Sequence, residues 1–80
     1  MIFIATFYSH FGAMRCKKEC DKAGISARLM PVPRMLSSSC GTCVRIESED
    51  AERIPRTEES EQIAAEEAGG YRILWKAEES

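Results

Sequence analysis

Residues 2–24 read IFIATFYSHFGAMRCKKECDKAG and decide the fold, because a strand pattern passes directly into a helix pattern within them. Residues 2–8 are mostly β-branched or aromatic and are apolar on both faces, which is typical of a central strand. Ser9 suits a helix N-cap, and Gly24 suits the end of a helix over residues 10–23. The chain therefore begins with a buried strand that is followed at once by a helix.

This first helix carries two of the chain's four cysteines on one stripe. The spacing of Ala13, Cys16, Cys20 and Ala23 places these residues on the same helical face. Two thiols four positions apart could supply two metal ligands, but the small residues beside them favour packing in a core. We therefore predict that Cys16 and Cys20 are core residues.

The rest of the chain predicts three strands and a second helix. In chain order we expect a strand over 25–30 ended by Pro31 and Pro33, a strand over 43–47, a short turn or helix before Pro55, a helix over 57–68 stopped by Gly69 and Gly70, and a strand over 71–76. The order βαββαβ predicts the α+β ferredoxin-like fold, with a four-stranded antiparallel sheet of order 4-1-3-2 and two helices on one face. We expect a single domain over residues 1–76 and a frayed tail over 77–80.

Composition and charge exclude several classes of protein. Eighty residues, 44% of them hydrophobic and 30% charged, make one small folded domain. The net charge of −2 argues against nucleic-acid binding, which calls for a basic stripe. The apolar N-terminus is too short for a membrane span and lacks the basic start and cleavage site of a signal peptide. We therefore expect a cytoplasmic protein whose cysteines stay reduced.

The second pair of cysteines lies in the loop SSSCGTC, residues 37–43. The small residues of this loop allow a sharp turn and favour accessible sulfurs on Cys40 and Cys43. Four roles fit the pair: a carrier thiol that holds a persulfide, a dithiol redox switch, two of the four ligands of a zinc ion, or a turn with incidental thiols. A thioredoxin-type site would place its first cysteine at a helix N-terminus, whereas the residues after Cys43 favour a strand.

The predicted topology brings further residues to this loop. The loop between the second and third strands lies at the same end of the sheet as the turn into the first helix, which carries His10. His10 could act as a base or a hydrogen-bond donor, or it could be an exposed residue of the first turn. The helix N-terminus would favour a nearby thiolate, such as that of Cys40. Arg34 and Arg45 flank the loop and could bind an anion, although solvated surface charges are the commoner explanation.

Three stretches together resemble one small bacterial family. They are IATFYSHFGA at residues 4–13, LMPVPR at residues 29–34 and SSCGTC at residues 38–43. In these stretches, and over residues 2–47 generally, the chain is similar to the Se/S carrier-like proteins. This resemblance implies a protein that carries a sulfur or selenium atom on a cysteine. Since the sequence shows no second catalytic motif, we favour a carrier over a self-sufficient enzyme. The sequence contains no phosphate loop and no cofactor box, so we expect no cofactor.

The resemblance also implies, by motif match, that Cys40 is the carrier cysteine, and it implies the partners; the roles of the neighbouring residues are our interpretation of the loop and the helix start. Cys40 would hold the atom as a persulfide or selenosulfide, and Cys43 would resolve or support it. The supporting residues would be His10, Ser39, Gly41 and Arg34. The partners would be a donor protein, such as a cysteine desulfurase, and an acceptor enzyme. The alternative is a zinc-binding or dithiol regulatory module that uses Cys40 and Cys43, with a homodimer supplying the remaining zinc ligands.

Overall fold

A computed structural model describes residues 1–77 of the chain. Its elements are, in chain order, strand β1 (Ile2–Phe7), helix α1 (His10–Lys22), strand β2 (Ser26–Pro31), strand β3 (Thr42–Glu47), a 3-10 turn (Ala51–Arg53), strand β4 (Ser60–Glu67) and strand β5 (Gly70–Lys76). The five strands form one sheet in the order β2-β3-β1-β4-β5, and every neighbouring pair is antiparallel. Of the frayed tail predicted over 77–80, residues 78–80 lie outside the described part of the chain.

The predicted first strand and first helix are confirmed. The Ser9 hydroxyl caps α1 by accepting a hydrogen bond from the Gly12 amide at 3.1 Å. The helix ends at the predicted place, since Gly24 follows it with a φ of +74°, a conformation that glycine adopts without strain. Pro55 also follows a short helical turn, as expected from the sequence. The local signals for these elements and the packed structure therefore agree.

The predicted ferredoxin-like fold is wrong, because residues 57–68 do not form a second helix. They contain the strand β4, which pairs with β1 and takes the place beside it that we assigned to residues 71–76. The sheet consequently has five strands instead of four, and α1 is the one α-helix within residues 1–77. Glutamate, glutamine and alanine give this segment a high helix propensity, but that preference is weak compared with tertiary packing.

The packing of β4 shows why the strand is the stable state of this segment. Ile63 and Ala65 join the core on the side of the sheet that α1 covers, while Ala64 is buried on the opposite side. This alternation uses both faces of a strand, which one face of a helix cannot do. Gly69, with a φ of +86°, forms the tight turn that leads β4 back into β5. The pair is thus a hairpin in the structure.

The sheet has a hydrophobic cluster on each face. The larger cluster lies under α1 and includes Phe3, Phe7, Ala13, Cys16, Cys20, Ile46 and Ile63. The smaller one contains Ile4, Leu36, Cys43 and Ala64, with Met30 and Val32 packed against it. Residues 32–41 thus fold back over the face opposite the helix, with Leu36 as their apolar anchor. The prediction that Cys16 and Cys20 are core residues is confirmed, although Ala23 of the same stripe is exposed.

Candidate functional site

The cysteine loop connects β2 to β3 and is closed at its base by the sheet. Pro31 and Thr42 form the last pair between these strands, and the Val32 amide donates a hydrogen bond to the Gly41 carbonyl at 3.1 Å. A second hydrogen bond of 3.0 Å, from the Leu36 amide to the Pro33 carbonyl, forms a tight turn within the loop. The loop is therefore held at its base and by the buried Leu36 side chain.

Serine side chains hold the segment that leads into Cys40. The Ser38 hydroxyl donates to the Phe7 carbonyl at 3.4 Å and accepts a hydrogen bond from the Cys40 amide at 3.2 Å. One hydroxyl thus ties the backbone of Cys40 to the end of β1. This arrangement explains why polar, small residues precede the cysteine: their side chains replace the backbone partners that a loop lacks.

Glu61 is a residue of the candidate site that the sequence did not reveal. Its carboxylate accepts hydrogen bonds from the Ser39 hydroxyl at 2.7 Å, the Ser39 amide at 3.2 Å and the buried Thr6 hydroxyl at 3.0 Å. A β-bulge places it there, because β1 pairs Thr6 with Gln62 and Phe7 with Ser60, so that Glu61 is the extra residue between them. Since we expected a helix over this segment, no sequence signal connected Glu61 with the loop.

The charge of Glu61 is stabilised by this network. Burial alone would raise the pKa of its carboxyl group, but hydrogen bonds from Ser39, Ser38 and Thr6 outweigh burial and lower the pKa below the ordinary value. The neighbouring side chain of Gln62 donates to the Ser37 carbonyl at 2.6 Å. Two successive residues of β4 thus hold two of the three serines before Cys40.

The two cysteines of the loop differ in environment. Cys40 is partly exposed, whereas Cys43 lies in β3 with no exposed surface. Burial, with a smaller contribution from the nearby Cys40, raises the pKa of the Cys43 thiol to about 11. The Cys43 Sγ also lies 3.6 Å from the Pro31 carbonyl, to which it donates. At neutral pH, Cys43 is therefore a protonated, sheltered thiol.

The helix cysteines are also sheltered. Cys16 and Cys20 are both buried, and burial together with the neighbouring Cys20 raises the pKa of the Cys16 thiol to about 12. Burial likewise raises the pKa of Cys20. All four cysteines lie within residues 1–77, and Cys40 is the one of them that is not buried.

The other predicted site residues differ in the contacts that they make. His10 begins α1, and its Nδ1 atom is 3.1 Å from the Thr42 hydroxyl, so the helix start does meet the cysteine loop, as the topology argument predicted. Gly41 is exposed, and a side chain there would meet open space. Arg34 is exposed on the turn of the loop and forms no ion pair within the described residues. Arg45 forms an ion pair with Glu47, and 3.7 Å separates its guanidinium nitrogen from the carboxylate oxygen.

A cleft of about 290 Å³ opens beside the loop, lined by Ser37, Ser38, Ser39, Glu61, Gln62 and Lys76. Its lining combines hydroxyl groups with one acidic and one basic side chain. Within residues 1–77, no three histidine, cysteine, aspartate or glutamate side chains are grouped in a way that could hold a metal ion. The arrangement is therefore that of one accessible thiol beside a polar cleft.

Comparison with protein families gives a match over most of the chain. A family model described as "Putative Se/S carrier protein-like" matches residues 3–68. The match extends past the stretches at 4–13, 29–34 and 38–43 and includes β4, which carries Glu61. Searches among curated proteins and among solved structures found no match. Within residues 1–77, no helix is long and apolar enough to cross a membrane.

Proposed function

Because this chain belongs to the Se/S carrier protein-like family, we propose that it carries a sulfur or selenium atom on Cys40 between a donor protein and an acceptor enzyme. The observation that carries the proposal is the accessibility of its thiols, since three of the four cysteines are buried and Cys40 is not. A carrier needs one sulfur that two partners can reach in turn. Cys40 is the residue that meets this requirement.

The loading step is a thiol exchange. The Cys40 thiolate attacks the outer sulfur of a persulfide on the donor protein and forms a new sulfur–sulfur bond. The bond between the donor's two sulfurs breaks, and its electron pair leaves with the donor's cysteine as a thiolate. The product is a persulfide on Cys40, and the same exchange with the acceptor unloads it. The corresponding exchange at selenium would give a selenosulfide. We place this exchange in the cytoplasm, where free thiols persist.

Cys43 is suited to a supporting role in this scheme. If its sulfur attacked the inner sulfur of the Cys40 persulfide, a disulfide would form and hydrosulfide would leave, so the cargo would be lost. Burial and the raised pKa keep Cys43 protonated at neutral pH, and a protonated thiol is a poor nucleophile. The environment of Cys43 therefore favours survival of the persulfide.

A dithiol regulatory module is the second candidate. It is supported by the closeness of the two thiols, which is evident in the effect of Cys40 on the pKa of Cys43. The zinc alternative would need ligands from a second copy, because residues 1–77 provide no group of three. Both alternatives use the same pair of residues, so one experiment can separate them from the carrier.

The test is intact-mass spectrometry after incubation with a cysteine desulfurase and L-cysteine. The wild type should gain about 32 Da, one sulfur atom, and a reductant should remove it. Cys40→Ser should gain nothing, whereas Cys43→Ser should still gain the atom. A Cys40–Cys43 disulfide without an adduct would support the dithiol module. Bound zinc in native spectra, without an adduct, would support the metal site.

A further inference from the structure

The outward face of α1 carries exposed apolar side chains. The helix packs Ala13, Cys16 and Cys20 against the sheet, while Phe11 is 72% exposed and Met14 is 50% exposed. Single exposed apolar residues are common on protein surfaces, so this pair is informative only together with its neighbours on the helix. The two residues are three positions apart, so they lie next to each other on the helix surface.

Basic residues continue the same face. Arg15 and Lys18 follow Phe11 at spacings of four and seven. A groove of about 370 Å³ is lined by Phe11, Met14, Arg15, Lys18, Glu19 and Lys22. We call four of these residues, Phe11, Met14, Arg15 and Lys18, the helix docking face. It is a short apolar surface that becomes positively charged along the helix.

The charge of this face is not neutralised by the helix itself. The helix contains four basic and two acidic residues, although the whole chain has a net charge of −2. Both acidic residues are near other lysines: Asp21 lies 2.7 Å from Lys17, and Glu19 lies 3.8 Å from Lys22. Within residues 1–77, Arg15 and Lys18 take part in no ion pair. An acidic surface on a partner would therefore meet two available cations.

The position of the face connects it with the thiol. His10 directly precedes Phe11, and its Nδ1 atom lies 3.1 Å from the hydroxyl of Thr42, the residue that begins β3 at the end of the cysteine loop. The docking face thus begins at the edge of the cysteine loop. A protein that reaches the Cys40 sulfur with its own cysteine must cover the surface around the loop, and the first turn of α1 belongs to that surface.

We propose that the helix docking face binds the donor protein, which has an apolar pocket for Phe11 and Met14 and aspartate or glutamate side chains opposite Arg15 and Lys18. This inference rests on the proposed carrier function and adds the chemistry of the partner. Buried aromatic residues supply much of the affinity of protein interfaces, and complementary charges speed up the encounter. The acidic rim is the matching partner for a basic helix on an otherwise acidic protein.

The test compares a protein donor with a small one. Persulfide loading of Cys40 is measured by intact mass, either from a cysteine desulfurase with L-cysteine or from sodium polysulfide. The variants are Phe11→Ala and the double change Arg15→Glu with Lys18→Glu. The matched controls are Ile73→Ala, at a 46% exposed apolar residue of β5, and Arg28→Glu, at an exposed residue of β2. All of these side chains are exposed, so circular dichroism should show the same fold.

We expect each docking-face variant to lower the initial rate from the desulfurase by about tenfold or more at low salt, and the controls to keep the wild-type rate. Loading from polysulfide should be the same in all proteins, because a small donor does not need the face. Salt should slow loading of the wild type by the desulfurase and speed up loading of the charge-reversed variant, because salt screens an attraction in the first case and a repulsion in the second.

Other results would overturn the inference and show where it fails. Equal desulfurase rates in the wild type and the docking-face variants would leave the carrier function intact and remove the docking face. If polysulfide loads the wild type but the desulfurase does not, the carrier function also stands and the docking face is refuted. No loading from either donor would remove the proposed function itself. A wild-type dimer in sedimentation that Phe11→Ala dissociates would assign the face to a second copy.

Discussion

Replacing Glu61 with alanine should loosen the cysteine loop and destabilise the fold. The substitution removes the acceptor of three hydrogen bonds, one from Thr6 and two from Ser39. The two groups of Ser39 are exposed and can bond to water instead, so their loss is cheap. Thr6 has no exposed surface, so its hydroxyl would be left without a partner. A buried unsatisfied hydroxyl costs about 1–3 kcal/mol, which makes Thr6 the larger contribution.

The expected loss in the free energy of unfolding is therefore about 2 kcal/mol, equivalent to a fall of about 10 °C in the melting temperature of a domain of this size. Urea unfolding followed by the fluorescence of Trp75 measures it, because Trp75 packs against the core and is the chain's single tryptophan. The matched control is Glu66→Ala, an exposed glutamate of the same strand. It should change the free energy of unfolding by less than about 0.5 kcal/mol.

A double-mutant cycle isolates the contact between Thr6 and Glu61. Thr6→Val keeps the shape of the side chain and removes the hydroxyl, so Glu61→Ala should cost about 1–2 kcal/mol less in that background than in the wild type. If the two changes are simply additive, the buried hydroxyl does not depend on Glu61 and the reasoning fails. It also fails if Glu61→Ala leaves the alkylation rate of Cys40 unchanged, because the carboxylate would then not hold the loop.

The same contact predicts a dependence on pH. The pKa of Glu61 is lower in the folded protein than the ordinary value of 4.5, so the folded state binds its proton less tightly than the unfolded chain. The stabilisation by Glu61 is therefore present in full above this value and is lost as the pH falls through the folded pKa. The difference in stability between the wild type and Glu61→Gln should shrink over that range. A constant difference from neutral to acidic pH would contradict the role of the charge.

Three other perturbations test the packing and the thiols. Gly12→Ala would place a Cβ atom 2.6 Å from the Cβ of Glu59 and should cost about 1–3 kcal/mol in chemical unfolding, whereas Gly41→Ala meets no atom within 4 Å and should be nearly neutral. Gly69→Ala should lower the melting temperature, because alanine is strained at a φ of +86° by about 1–2 kcal/mol. An unchanged melting temperature would contradict this conformation of the turn. Iodoacetamide should add one label to the native protein, none to native Cys40→Ser and four to the unfolded wild type; a second rapid label on the native protein would contradict the burial of the other thiols.

The elements that could be predicted are those whose local signals agree with their packing. Ser9 and Gly24 mark both ends of α1, and the Ala13 and Cys16 stripe marks its buried face. The strand β4 could not be predicted in the same way, because its glutamates and alanines favour a helix and its partner β1 lies more than fifty residues away in sequence. A reading that gave more weight to the short turn at Gly69 would have favoured a hairpin.

The same distinction applies to the candidate site. The contact between His10 and the cysteine loop follows from the first four elements, whose order β2-β3-β1 is part of both the predicted and the observed sheet. The role of Glu61 depends on the pairing of β4 with β1 and on the bulge opposite Thr6, and neither has a local signature. The predicted closeness of His10 to the cysteine loop therefore depends only on β1, α1, β2 and β3, which local sequence patterns indicate.

The register of β3 explains why Cys40 and Cys43, only three positions apart, differ in exposure. β3 begins at Thr42, so Cys43 is already inside the sheet, where it pairs with Thr6 on one side and Met30 on the other. Cys40 stays outside, in the turn that Ser38 holds. Moving Cys43 to the surface would disrupt the hydrogen bonds of β3 to both β1 and β2, which is costly for a small domain. A resolving thiol attacks a mixed disulfide from within its own chain and needs no exposed surface, so a dithiol pair and a carrier alike need one accessible sulfur. The register therefore makes Cys40 the thiol of the pair that a partner protein can reach, and it does so through the backbone and not through the chemistry of either thiol.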